Sequence, residues 1–232
     1  MFDKVRIGPF EVGPEGKGLY VGDAMELAEE IPDDSIDAIF CDPVYQDMDA
    51  YRWVAELGAR VLKRGGSLIA QCAHYYLPDV MEAVKGRGLN WHWIIAQYMW
   101  GANAKHYGNR IVINWKPHVW LVKGEYQGRF VFDWLKGGPR VKRHHVWQDS
   151  PLAFVALIER VVPKGGVILD PFCGSGTIPI ATVMAGRNYL AFEIDERTAQ
   201  VARERLRFTQ PPLILDEDVA QLLLPGGKDG ET

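Results

Sequence analysis

Cysteine is scarce in this 232-residue chain, with only Cys41, Cys72 and Cys173, far apart and odd in number. That excludes a disulfide framework, and no paired metal-ligand spacing is present, so no metal site is expected and a reducing compartment fits. No apolar run reaches the roughly 20 residues that a membrane-spanning helix needs. The start, Met1-Phe2-Asp3-Lys4-Val5-Arg6, lacks the apolar stretch of a secretory signal. A soluble, cytoplasmic protein without membrane contact is therefore expected. Internal repeats and low-complexity tracts are also missing, so repeat architectures find no support. Positive charge is short as well, with 26 Lys and Arg against 30 Asp and Glu and a net charge of −4.

That deficit is uneven. Between Ala102 and Trp147 nine Lys or Arg stand against two acids, a local charge of +7, leaving 17 bases against 28 acids, −11, elsewhere. A basic segment with four histidines and several aromatics on an acidic body suits contact with a polyanion on one face, although a solvated basic surface without a partner has the same composition.

Along the rest of the chain, short β-rich runs alternate with helical patterns, which argues for an α/β, doubly wound, mostly parallel sheet. Strands are predicted at 18–21, 36–41, 67–72, 94–100, 118–122, 167–169 and 189–192. Helices are predicted at 24–30, 50–63, 77–85, 152–161, 177–185 and 196–208. The length and 47% hydrophobic content suit one domain over 1–210, with basic loops and hairpins at about 101–147 and a tail at 211–232.

Val167-Ile168-Leu169-Asp170-Pro171-Phe172-Cys173-Gly174-Ser175-Gly176-Thr177 reads as a buried strand, a glycine turn and the first turn of a helix. Such turns bring backbone N–H groups and a positive helix end close to a ligand. Pro179 stands where a dinucleotide fingerprint would place its third glycine, and no Walker-type lysine follows, which disfavours nicotinamide and nucleotide-phosphate loops. Glu193 ends the next strand, 19 residues after Gly174, where a carboxylate can accept from ribose hydroxyls. S-adenosylmethionine has a ribose, no phosphate and an ammonium group that Asp170 could face. A turn-capping Asp170 and a surface Glu193 would look the same in sequence.

A second apolar strand ends in Cys41-Asp42-Pro43-Val44-Tyr45. In open parallel sheets, ligands are met at the carboxyl ends of strands. The exocyclic amino group of adenine or cytosine is a poor nucleophile because its lone pair is delocalised into the ring. Acceptors on its hydrogens, such as the Asp42 carboxylate and Pro43 carbonyl, draw that pair outward. Tyr45 suits stacking on a base flipped from its duplex. Taken alone, the tetrapeptide also reads as a simple strand-ending turn.

Together these motifs give the chain its resemblance to the DNA amino-methyltransferases of the β arrangement, in which the catalytic motif precedes the cofactor motif. The matching pieces are Tyr20-Val21-Gly22-Asp23, Asp42-Pro43-Val44-Tyr45, Leu62-Lys63-Arg64-Gly65-Gly66, the glycine loop from Asp170 to Thr177, and Gly186-Arg187-Asn188-Tyr189 leading to Glu193. The resemblance spans roughly residues 18 to 208. It implies a seven-stranded, mostly parallel sheet of the S-adenosylmethionine-dependent methyltransferase fold in circularly permuted order. It implies Asp42, Pro43 and Tyr45 as catalytic and base-holding residues, with Asp42 also beside the cofactor. Asp170, Phe172, Gly174, Gly176, Thr177 and Glu193 become cofactor ligands, as do Asp23 on the cofactor's adenine, Gln148 and Ser150. Asp rather than Ser at the first tetrapeptide position favours N6 of adenine over N4 of cytosine. Val44 departs from the family's second proline, and the run before Pro151 lacks the family's lysine, so a catalytically impaired DNA-binding module of this fold is the alternative of another class.

Lys105, Arg110, Arg140, Lys142 and Arg143 are expected on DNA phosphates. Trp91, Trp93 and Trp100 alternate with apolar residues and are expected in the core, whereas Trp115, Trp134 and Trp147 sit in basic sequence as stacking candidates. The site-recognition region is short, so recognition is loose, shared across a homodimer, or completed by another protein. A stand-alone, phage-type or restriction-associated modification enzyme is the expected role, with no nuclease motif identified in the chain.

Overall fold

The computed structural model describes residues 5–13, 17–99, 104–136 and 151–209. Strands are β1 (Val5–Ile7), β2 (Phe10–Val12), β3 (Leu19–Val21), β4 (Ile36–Cys41), β5 (Leu62–Gln71), β6 (Asn90–Tyr98), β7 (Ala104–His106), β8 (Ile111–Ile113), β9 (Trp115–Val122), β10 (Trp134–Lys136), β11 (Val167–Asp170) and β12 (Asn188–Glu193). Helices are α1 (Ala24–Glu29), α2 (Met48–Val61), α3 (Leu77–Val84), α4 (Leu152–Val161), α5 (Thr177–Met184) and α6 (Glu196–Arg207). Each of the seven predicted strands and six predicted helices is present. The tail at 211–232 lies outside the described residues.

The main sheet runs β10-β6-β9-β5-β4-β11-β12-β3. It is parallel except at β9, which pairs antiparallel with both β5 and β6. Among the described residues this corrects the expected strand number from seven to eight. The extra strand, β10, has only three residues and joins the edge by pairing Trp134 with Ala96, which the short run could not announce in sequence. Two small hairpins, β1–β2 and β7–β8, stand outside the sheet, the second within the basic segment where hairpins were expected.

β4 lies at the centre, and all six of its residues are buried because helices cover both faces. Residues of α1, α2 and α3 form one apolar cluster with the sheet, while α4, α5 and α6 supply the clusters on the other side. The one charge within β4, Asp37, binds Lys63 Nζ at 2.8 and 2.9 Å and accepts from Val167 N at 2.8 Å. It thereby ties β4 to β5 and β11 at the amino end and leaves the carboxyl end to the site. α2 begins just beyond the tetrapeptide: Asp47 accepts from Ala50 N at 3.0 Å, filling one of the orphan donors of the helix start. Its buried positions Tyr51, Val54, Ala55, Gly58 and Val61 recur at helical spacing.

Two tryptophans depart from expectation. Trp91 and Trp93 are 46% and 55% exposed rather than core. β10 pairs with β6 only from Ala96 to Tyr98, so the amino half of β6 extends past that neighbour and its alternation faces solvent. Trp100 and Trp147 lie outside the described residues, and Trp115 and Trp134 are half-buried.

Candidate active site

The carboxyl ends of β4, β5 and β11 surround a cavity of about 320 Å³. Asp42, Gln71, His118, Asp170, Phe172, Gly174 and Thr177 are on its wall, with Phe40, Ile69 and Phe154 as its apolar floor. The catalytic motif and the glycine loop, 128 positions apart between Asp42 and Asp170, thus meet in one space because β4 and β11 are direct neighbours.

The loop takes its shape from backbone demands. Gly174 and Gly176 have φ of +51° and +84°, the left-handed region that favours glycine. A Cβ on Gly176 would stand 3.0 Å from Ala202 Cβ on α6. The Glu193 carboxylate holds the turn, accepting from Gly174 N at 2.9 Å and from Asp195 N at 3.0 Å. Arg205 donates to the Ser175 carbonyl and to Ser175 Oγ. Trp53 of α2 meets Phe172 with ring centroids 5.7 Å apart. The loop is therefore fastened from β12, α6 and α2.

Asp170 is 3% exposed, and its Oδ1 accepts from Phe172 N at 3.2 Å. Burial pushes its carboxyl well above the usual range, the charges of Asp42 and Glu193 add to that, and the Phe172 N–H opposes it. Among the described residues no Lys or Arg lines the cavity. Two carboxylates without a cation suit a positively charged ligand and disfavour a phosphate. S-adenosylmethionine fits this donor set through its ammonium and sulfonium charges.

The cysteines add no nucleophile or metal ligand. All three are buried and free, and burial drives each thiol upward, Cys72 to about 12. Among the described residues, no cluster of His, Cys, Asp and Glu could hold a metal.

Other expected residues fall at measured removes. Pro43 is buried behind Asp42, and Val44 is 74% exposed. Tyr45 is half-buried, and its hydroxyl accepts from Gln71 Nε2 at 2.6 Å. Glu193 and Gly176 stand behind the loop rather than on the cavity wall. Asp23 is exposed, caps α1 by accepting from Met25 N at 2.8 Å, and sits one strand beyond Glu193. Lys105 and Arg110 are exposed on the β7–β8 hairpin. That hairpin leans on the turn after β5, with His106 stacked on Tyr75 at 5.9 Å. Gln148, Ser150, Arg140, Lys142 and Arg143 lie outside the described residues.

Sequence reasoning missed Gln71 and His118. Gln71 is a polar residue closing an otherwise apolar run, a signal that was available. His118 is fully buried, with Nε2 2.9 Å from Gln97 Oε1. Burial, assisted by the charge of Lys116, holds its imidazole down to about 3, so it is neutral on the cavity wall.

The fold is that of the doubly wound S-adenosylmethionine-dependent methyltransferases, and the donor set of the site fits that cofactor. A family model described as DNA methylase matches residues 142–204. The chain is 28% identical to the type II methyltransferase M.BamHI of Bacillus amyloliquefaciens over 87% of its own length, and it spans 59% of that relative. It is 25% identical to the DNA adenine methyltransferase YhdJ of Escherichia coli K12, over 85% of each chain. In structure it resembles M1.HpyAVI, solved as a complex with SAM, with a TM-score of 0.70 over 82% of this chain and 98% of that one at 22% identity. It also resembles the PvuII DNA methyltransferase, described as cytosine-N4-specific, with a TM-score of 0.71 over 88% and 90% at 15% identity. The chain is thus similar to DNA methyltransferases of the N6/N4 type, and the donor set of its cavity fits S-adenosylmethionine. Among the described residues no helix is long and apolar enough to cross a membrane.

Proposed function

We propose that this protein transfers a methyl group from S-adenosylmethionine to N6 of adenine in DNA, on a base flipped out of the duplex. The observation that carries the reading is the shared cavity, which has Asp42 on one wall and the glycine loop with Asp170 on the other. The bound cofactor supplies an electrophilic methyl on a sulfonium centre. The Asp42 carboxylate and the Pro43 carbonyl accept the two hydrogens of the target amino group, drawing its lone pair toward the incoming carbon. The carboxylate stabilises the positive charge that grows on nitrogen and is the first acceptor for the proton it sheds. Tyr45 holds the flipped base by stacking. Asp170 faces the cofactor's ammonium, Glu193 its ribose and Asp23 its adenine, with Gln148 and Ser150 as further contacts. Lys105, Arg110, Arg140, Lys142 and Arg143 take phosphates along the basic segment.

Adenine is favoured by Asp at the first tetrapeptide position and by the match, over 85% of each chain, to a relative named as an adenine methyltransferase. Cytosine N4 offers the same amino chemistry, and a neighbour of the same fold is described as specific for it. The test is transfer of labelled methyl to unmethylated genomic DNA, followed by mass spectrometry of the nucleosides. N6-methyladenine supports the proposal. N4-methylcytosine replaces it with the second reading, and no product on DNA overturns both.

A further inference from the structure

Gln71 closes β5 at 2% exposure, in a stretch from Ser67 onward that is buried throughout. Burying a primary amide is costly unless its hydrogen bonds are replaced, so a glutamine here needs partners. It has them on both its side chain and its backbone. Its Nε2 donates to the Tyr45 hydroxyl at 2.6 Å, and its carbonyl accepts from the Tyr51 hydroxyl at 2.7 Å. Tyr45 comes from the loop after β4 and Tyr51 from α2, so this one residue joins a rigid strand to both ends of the segment that carries the catalytic motif. The loop is open around Tyr45, with Asp42, Val44 and Gln46 all exposed, so the bond from Gln71 ties an exposed segment to a buried strand.

The strand beneath is itself fixed by polar contacts. His118 stands directly across from Gln71 in the β5–β9 ladder and is bonded to Gln97 of β6. Both Gln71 and His118 are on the cavity wall with Asp42. A buried polar row under an active site, with its members hydrogen-bonded, specifies one arrangement more sharply than an apolar floor would.

We infer that Gln71 is a positioning residue, presetting the Tyr45 ring so that a flipped base presents its amino group to Asp42 and Pro43. The inference rests on the methyltransferase reading above. Displacement of a reacting group by about 1 Å costs on the order of 100-fold in rate, so a loosened ring acts on turnover rather than on cofactor binding.

The test is a double-mutant cycle of Gln71→Met, which keeps the volume and loses the amide, with Tyr45→Phe, which keeps the ring and loses the hydroxyl. Each single variant is expected to lower kcat on genomic DNA by about 10–100-fold, with the KM for S-adenosylmethionine unchanged. The double variant should be within about twofold of either one, since both remove the same contact. Gln71→Glu, which can accept from the Tyr45 hydroxyl, should recover much of the rate. Losses that multiply in the double variant, or a Gln71→Met enzyme at wild-type kcat, would overturn the inference. A second readout is independent of DNA and activity. In protein labelled with 3-fluorotyrosine, the Tyr45 fluorine signal, assigned by its loss in Tyr45→Phe, should shift and broaden in Gln71→Met and hold in Gln71→Glu. An unmoved signal sinks the positioning contact, whereas a wild-type protein that methylates no DNA sinks the methyltransferase reading and leaves the contact to be judged by the fluorine signal.

Discussion

The fully buried imidazole of His118 makes stability depend on pH in a range that few other side chains reach. In the folded protein its pKa is held down to about 3, chiefly by burial and secondarily by Lys116, whereas in the unfolded chain it is free to titrate near the ordinary value of about 6.5. The sign follows from which state takes up the proton. Above the unfolded value neither state is charged, so the neutral ring contributes its full stability there. As pH falls from about 6.5 toward about 3 only the unfolded chain is protonated, and stability is lost at up to about 1.4 kcal/mol per pH unit. At pH 5 the loss is about 2 kcal/mol. For a chain of this length that is about 4–8 °C in Tm. The perturbation is His118→Gln, which retains a donor toward Gln97 without a titrating ring. Thermal or urea unfolding at pH 7, 6 and 5 should show the wild type losing about 2 kcal/mol more than the variant over that interval. Carboxylates that titrate in both proteins cancel in the comparison. Parallel curves would refute the reasoning and place the ring in contact with water. The neutral state matters for the site as well, because a cationic wall would repel a cationic cofactor.

Asp170→Asn removes a buried charge. A carboxyl raised by burial stabilises the fold below its unfolded pKa and loses that contribution as pH rises through the folded value, so at pH 7 the variant should melt higher than the unliganded wild type in calorimetry. It should also bind S-adenosylmethionine more weakly, read by titration calorimetry, because a neutral amide lacks the charge that attracts an ammonium group. Gly176→Ala forces an L side chain into φ +84° and 3.0 Å from Ala202. The expected loss is about 1–2 kcal/mol in urea unfolding together with weaker cofactor binding. Lys105→Glu combined with Arg110→Glu should weaken DNA binding by about tenfold or more and reduce its salt dependence, measured by fluorescence anisotropy at two salt concentrations, with cofactor affinity unchanged.

The sheet was legible because its central strands are short, wholly apolar runs set between helices of clear period. Ile36–Cys41 and Val167–Asp170 need no partner information to be read as buried. β10 was not legible, because three residues become a strand only by lying beside β6. Trp91 and Trp93 misled for the same reason in reverse: their alternation is real, but what covers a strand is set by its neighbours. In the site, Asp42, Asp170 and the glycine loop stood out by motif. Gln71 and His118 did not, since they become a pair only through the β5–β9 ladder, across 47 positions of sequence. Glu193 was found by spacing, while its bonds to the backbone of the loop emerge only from the turn itself.

The central claim is that Asp42 acts on an amino group presented beside the cofactor that Asp170 and the glycine loop hold. The most direct measurement compares wild type with Asp42→Ala for methyl transfer from labelled S-adenosylmethionine to unmethylated DNA, with cofactor binding followed in parallel by tryptophan fluorescence. The account predicts transfer in the wild type, a loss of at least about 100-fold in the variant, and cofactor binding retained in both. Transfer that survives Asp42→Ala undiminished would contradict it.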